Sequence, residues 1–261
     1  MREWERTEKN FTDHVERQNT KRIIESLLPD GGRILDAGGA SGRYAVWLAR
    51  NGYEVELVDR SQRQVELARE KAEEMNVSDR IDIFRKDIRD ISYSEEFDAV
   101  LCLGGALSHI LDEEERRSAA ENLLNAARNG APVAVSVMGF HGILLQAVTE
   151  QNGFLENISD FFRRQKYDEQ LLEELVDDPW FADTFFFRSG QLRKLVEEAG
   201  GKIQEVKGLE NAVTPAEKQL RDQEYSKELE DPLQKLSRRM LDETAGKYMS
   251  KHLIATGHKD S

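Results

Sequence analysis

Cys102 is the single cysteine among 261 residues, so no disulfide can form within the chain. It stands inside the apolar stretch FDAVLCL and reads as a core residue. No run approaches the roughly 18 apolar residues of a membrane span. The N-terminus, MREWERTEKNF, is charged throughout and lacks the apolar region of a leader. These absences predict a cytoplasmic protein that makes no membrane contact. There is no internal repeat and no low-complexity linker. Basic charge is in deficit, with 37 Lys and Arg against 50 Asp and Glu and a net charge of −13. The overall field therefore repels polyanions, and nucleic-acid binding would need a local basic patch. Apolar residues make up 39% and charged residues 33%, enough for a core under a heavily solvated surface. One domain with an embellishment is expected at this length.

Strands and helices alternate after an opening helix over 15–28, which stops at the turn signal Pro29-Asp30-Gly31-Gly32. RILDA (33–37), EVELV (54–58), IDIF (81–84), FDAVLCL (97–103) and APVAVSVM (131–138) read as strands. Helices are predicted over 43–52, from Ser61 to about 76 with Ser61 and Gln64 as a capping box, and over 112–130. Acids open the last of these and Arg128 lies near its end, as the helix dipole favours. Such alternation predicts a mostly parallel sheet covered on both faces. Residues 139–187 read as irregular and aromatic-rich, with Phe140, Phe154, Phe161, Phe162, Tyr167, Trp180, Phe181, Phe185, Phe186 and Phe187. A helix from Ser189 to Ala199, a strand KIQEVKGLE, a helical insertion over 214–247 and a strand KHLIATGH close the chain. Thr214-Pro215-Ala216-Glu217 reads as the start of that insertion.

Chemistry concentrates in RILDAGGASGRYAVWLA, where Asp36 precedes Gly38, Gly39, Ala40, Ser41 and Gly42. A strand that turns sharply into a helix needs residues tolerant of positive φ, and it aims free N–H groups at whatever sits there. Asp59 ends the second strand, where an acid suits a ribose diol. No Gly-Lys-Ser/Thr follows the turn, so it is not a phosphate loop of the Walker kind. Counted from Gly38, the nicotinamide-binding fingerprint requires glycine at 40 and 43, where this chain has Ala40 and Arg43.

ILDAGGASGRYA resembles the first motif of the class I S-adenosylmethionine-dependent methyltransferases, with Ala40 in place of the usual middle glycine. VELVDRS, FRKDIRD and FDAVLCLGGALSHI resemble the second, third and fourth motifs, in order. The resemblance implies a Rossmann-like, doubly wound α/β fold of seven strands, the last antiparallel to the rest. It implies a single domain over 1–261: a cofactor-binding core over 15–138, a lid over 139–187, and a last strand pair over 189–257. It also implies S-adenosyl-L-methionine as cofactor. Asp36 would then sit near the cofactor's amino group, and Gly38, Gly39, Ala40 and Gly42 would form the turn beneath its methionine portion. Asp59 would hold the ribose hydroxyls, with Arg60 flanking the adenine. Asp87 and Ile88 would bracket the adenine, and Leu103 and Gly104 would lie near the donor methyl.

Methyl transfer from a sulfonium mainly requires alignment, with a general base only where the acceptor must lose a proton. His109 and His141 stand after the fourth and fifth strands and are the candidate bases. Arg163, Arg164 and Lys166, among aromatics in FFRRQKY, are candidates to grip an anionic acceptor. No metal site is expected. The leading expectation is a methyltransferase for a small-molecule acceptor, as monomer or homodimer. The alternative is a tRNA acceptor, because DAGG, MGFHGILLQAVTEQNGF and the late helical insertion resemble the tRNA carboxymethoxyuridine methyltransferases. The net charge counts against it. A non-catalytic module that binds S-adenosylmethionine is the third reading.

Overall fold

The computed structural model describes residues 4, 11–150, 158–167, 183–216 and 227–260. In chain order these form α1 (Phe11–Leu27), β1 (Arg33–Ala37), α2 (Arg43–Arg50), β2 (Glu54–Asp59), α3 (Gln62–Glu74) and β3 (Ile81–Arg85). Next come β4 (Ala99–Cys102), α4 (Glu113–Ala126), β5 (Pro132–Met138), α5 (Phe140–Glu150), α6 (Ile158–Arg164), β6 (Lys166–Tyr167) and β7 (Thr184–Phe185). The chain ends with α7 (Ser189–Glu198), β8 (Gly201–Gly208), α8 (Lys227–Met240), α9 (Thr244–Met249) and β9 (His252–Lys259).

Seven strands form one sheet in the order β3-β2-β1-β4-β5-β9-β8. The pairs from β3 to β5 are parallel, and β9 runs antiparallel to both β5 and β8. Side chains alternate across each strand, so one sheet feeds two cores. Leu35, Val100, Val135 and Ala255 pack with Leu123 of α4 and Leu192 and Val196 of α7. Ile34, Leu57, Leu101 and Ile254 face the other way, onto Ile24 of α1, Leu48 of α2 and Ala68 of α3. This is the doubly wound architecture that the alternation predicts. Strand order reverses between β1 and β4, which opens a crevice at their carboxyl ends.

Three expectations are corrected. Residues 139–187 are not irregular throughout: Phe140–Glu150 and Ile158–Arg164 are helical, and Lys166–Tyr167 pairs with Thr184–Phe185. Phe140, Phe161 and Phe186 are buried together with Ile143 and Ala147 as a third core, and the Phe140 and Phe161 rings stack at 5.3 Å. Phe154, Trp180 and Phe181 lie outside the described residues. Thr214 does not cap a helix, because it sits within a 3-10 turn spanning Asn211–Ala216; Glu217 lies outside the described residues. Helix α4 ends at Ala126, and Arg128 turns away to pair with Asp98 instead of serving the helix end.

The last segments fold back over the carboxyl edge. Asn19 of α1 donates to the Leu209 carbonyl at 2.7 Å and to the Ser237 hydroxyl of α8 at 2.8 Å. Helix α5 approaches the backbone before β9 so closely that a Cβ on Gly142 would stand 2.1 Å from the Ser250 carbonyl. Both contacts carry α1 and α9 to the edge where the crevice opens.

Candidate functional site

The glycine-rich turn leaves β1 in the left-handed region at Gly38 (φ +72°), Ala40 (φ +47°) and Gly42 (φ +77°). Gly38 and Gly39 donate to the Val58 carbonyl at 2.8 and 3.2 Å, which ties the turn to the end of β2. Asp59 closes the same junction. Its carboxylate accepts the Ala40 N–H at 3.0 Å and the Ser61 N–H at 2.8 Å, each on a different oxygen. A Cβ on Gly38 would meet the Ala106 methyl at 2.5 Å, so the turn and the end of β4 close on a backbone with no side chain between them. Ala40 bears a Cβ in a conformation that costs about 1–2 kcal/mol. Glycine would relieve this, less about 0.5–1 kcal/mol of extra chain entropy. Ala40→Gly is therefore expected to stabilise the protein by about 0.5–1 kcal/mol, measured by urea unfolding.

Asp36 lies beside this turn with 1% of its surface exposed, and among the described residues no donor makes a well-formed hydrogen bond to either carboxylate oxygen. Burial pushes its pKa from the usual 3.8 up to about 7; the Asp59 carboxylate adds to the rise, and the N–H of Ala45 opposes it. Between those values the folded chain holds a proton that the unfolded chain has lost. Stability therefore falls as pH rises through that window and stays lowered above it. The ionised side chain costs the fold about 4 kcal/mol at most, and a buried amide without partners would keep about 1–3 kcal/mol of that. Asp36→Asn is expected to stabilise the ligand-free protein by about 2 kcal/mol at pH 8 and hardly at all near pH 4, read from urea unfolding at both.

The other predicted site residues fall at the same edge with different degrees of freedom. Asp59 is half-buried and its pKa is raised by desolvation, against the two N–H bonds that lower it. Arg60 is exposed and close enough to Asp59 and Asp87 to favour both carboxylates. Asp87 is held by Arg89 at 2.8 Å, which lowers its pKa, and Arg89 also reaches Glu115 at 2.6 Å. Ile88 is 5% exposed and packs with Leu35 and Cys102, leaving its side chain little surface for a ligand. Leu103 is buried, whereas Gly104 is exposed, with φ +73° and its N–H donated to the Ser136 hydroxyl at 2.8 Å.

His109 donates from Nδ1 to the Asp183 carbonyl at 3.0 Å. His141 opens α5, with its pKa lowered by burial and by the neighbouring Arg188. The Arg188 guanidinium lies 4.7 Å from the Phe140 ring centre and 5.4 Å from that of Phe162. Asp160, one turn earlier on α6, pairs with both Arg163 and Arg164, one acid shared between two cations. Lys166 stands apart on β6, opposite Phe185.

Four polar residues that the sequence reading missed gather across the crevice. Glu210 accepts the His252 backbone N–H at 3.0 Å and also bonds its Nδ1. Glu16 of α1 lies close enough to both to shift their ionisation, and it accepts from Thr20 at 3.2 Å. Tyr44, two residues past Gly42, shares this surrounding with Thr20 and Glu16. One signal was available: in an antiparallel pair the end of KIQEVKGLE must meet the start of KHLIATGH, which brings Glu210 beside His252.

Residues 34–130 match the family described as "Methyltransferase domain", a span that includes the turn, Asp59, Asp87 and the β4 edge. Over that span the chain is similar to the S-adenosylmethionine-dependent methyltransferases, and its fold is theirs. A solved S-adenosylmethionine-dependent methyltransferase from Methanosarcina mazei superposes with a TM-score of 0.62 at 17% identity, over 91% of this chain and 97% of that one. The tRNA 5-carboxymethoxyuridine methyltransferase of Escherichia coli is 27% identical over 135 residues, 52% of this chain and 51% of that protein. This chain thus spans about half the length of that relative. The glycine/sarcosine N-methyltransferase of Aphanothece halophytica is 25% identical over 192 residues, 68% of this chain and 69% of that protein. This methyltransferase fold fits the family's cofactor on its own geometry. The turn at Gly38 offers bare backbone, and Asp36 is a buried carboxylate with no partner, suited to a ligand that carries positive charge.

Proposed function

We propose that the protein transfers a methyl group from S-adenosylmethionine to a small-molecule acceptor. The observation that carries the donor half is the unpartnered Asp36 carboxylate beside a glycine-rich backbone at the point where strand order reverses. Gly38, Gly39 and Ala40 would pass beneath the methionine portion, with Asp36 facing its ammonium group. Asp59 would hold the ribose hydroxyls with the lone pairs left after its two N–H bonds. Arg60, Asp87 and the backbone of Ile88 would border the adenine, and Leu103 and Gly104 the reacting carbon. Bound, the cofactor supplies a methyl group on a sulfonium, displaced in line with a neutral thioether as leaving group. The chain's task is then to align the acceptor and exclude water.

The acceptor half rests on charge. Asp160 pairs with both Arg163 and Arg164, which offsets one of the three positive charges in the sequence's candidate grip for phosphates. Two acids, Glu16 and the buried Glu210, lie near His252 at the same edge of the sheet. A relative aligned over 192 residues takes glycine and sarcosine by its name, whereas the tRNA-modifying relative is aligned over 135. Incubation with methyl-labelled S-adenosylmethionine and a fractionated cell extract decides between them. Label is expected in the small-molecule pool. Label in tRNA, together with micromolar tRNA binding that weakens steeply with salt, would overturn the small-molecule reading.

A further inference from the structure

His252 stands at the first position of β9, in register with Met138 at the end of β5. Met138 in turn lies beside Gly105, at the end of β4: its Sδ would be 3.5 Å from a Cβ on that glycine. The imidazole is therefore at the carboxyl edge, two strands from β4, roughly 10 Å at ordinary strand spacing. It shares the α1 face of the sheet with Ile254 and with Asp36. Its Nδ1 is fixed by Glu210, whose second oxygen holds the backbone N–H of the same residue. Nε2 is left without a hydrogen-bond partner among the described residues, and Glu16 lies close enough to the ring to raise its pKa. A carboxylate that clamps one ring nitrogen sets the tautomer and leaves the other to take a proton.

We propose that Glu16, Tyr44 and the Glu210–His252 pair form the acceptor pocket, that it takes a small amine, and that His252 Nε2 accepts the amine's proton. This rests on the methyltransferase reading above. The class follows from the charges that converge there. Glu16, Glu210 and Asp36 supply three acids, against two nearby cations: Lys251, almost fully buried, and Arg43 beside Tyr44. An acceptor carboxylate would face like charge, whereas an ammonium group would meet opposite charge. In the step, an N–H bond of the bound ammonium breaks and leaves its electron pair on nitrogen as the neutral amine, while the proton moves to Nε2. The nitrogen pair forms the new N–C bond as the C–S bond breaks, and that bond's pair stays on sulfur. The proton then leaves His252 for bulk water.

The groups facing the imidazole are Glu210 from the segment after β8, Glu16 from α1 and Lys251 before β9. The two acids raise its pKa, while burial and Lys251 lower it, with a net rise above 6.5. Neutral His252 is the active form, so the methylation rate should climb with pH through a limb above that value. The test uses the full-length protein, methyl-labelled S-adenosylmethionine and the small-molecule fraction of a cell extract. Product label should survive alkali, as an N-methyl group does; a methyl ester would release methanol. His252→Gln should slow labelling by about 100-fold or more and abolish the pH limb. Glu210→Gln should keep labelling but move the limb to lower pH. Both variants should bind S-adenosylhomocysteine within about twofold of the parent, which shows them folded with the donor site intact. Alkali-labile label, or an unchanged limb in both variants, overturns the amine proposal alone. Label in tRNA, or in no pool while S-adenosylhomocysteine still binds, overturns the small-molecule reading beneath it.

Discussion

Gly38→Val is expected to abolish measurable binding of S-adenosylhomocysteine, a loss of more than about 100-fold, or about 2.7 kcal/mol. Two effects combine. Gly38 holds φ +72°, which costs a residue with a Cβ about 1–2 kcal/mol and a β-branched one more. The new Cβ would also stand 2.5 Å from the Ala106 methyl, so the turn and the β4 edge must separate. Overpacking of this kind costs about 1–3 kcal/mol of stability. The valine methyls would then occupy the backbone surface on which the methionine portion is to lie. Thermal unfolding gives the stability loss, and calorimetry well below the melting temperature gives the binding loss. Binding within tenfold of the parent would place the ligand elsewhere.

Asp59→Ala is the second large effect. Hydrogen bonds to a charged group contribute about 1.5–3 kcal/mol, so losing those to the ribose should weaken S-adenosylhomocysteine about 10- to 150-fold. The loss is not confined to the ligand, because Asp59 also holds the N–H groups of Ala40 and Ser61. Asp59→Asn separates the two roles, since its single carbonyl oxygen can keep one of those N–H bonds. It should recover part of the stability lost in Asp59→Ala and little of the affinity. Chemical unfolding beside calorimetry measures both.

Much of the donor half is legible in the sequence because it is local. Strand β1, the turn, α2 and Asp59 lie within 27 consecutive residues, and turn chemistry dictates their geometry. The acceptor half is different. Glu16, Tyr44, Glu210 and His252 come from four separate segments: the β8–β9 pairing sets Glu210 beside His252, and Glu16 joins them when α1 packs on the segment after β8 through Asn19. Burial, which no local pattern reports, strips Asp36 of solvent and partners. Two features left out of the sequence reading had local signals. Asp160 stands one turn before Arg163 and Arg164, the spacing at which helical ion pairs form, so their shared pairing was readable. Phe140, Ile143, Leu144 and Ala147 repeat at helical spacing, yet aromatic density masked helix α5.

The account stands on the glycine-rich turn and Asp59 as the seat of S-adenosylmethionine. Isothermal titration of the full-length protein with S-adenosylhomocysteine tests this most directly. The account predicts saturable one-to-one binding that weakens about 10- to 150-fold in Asp59→Ala. No binding by the parent protein, or equal affinity in parent and variant, would contradict it.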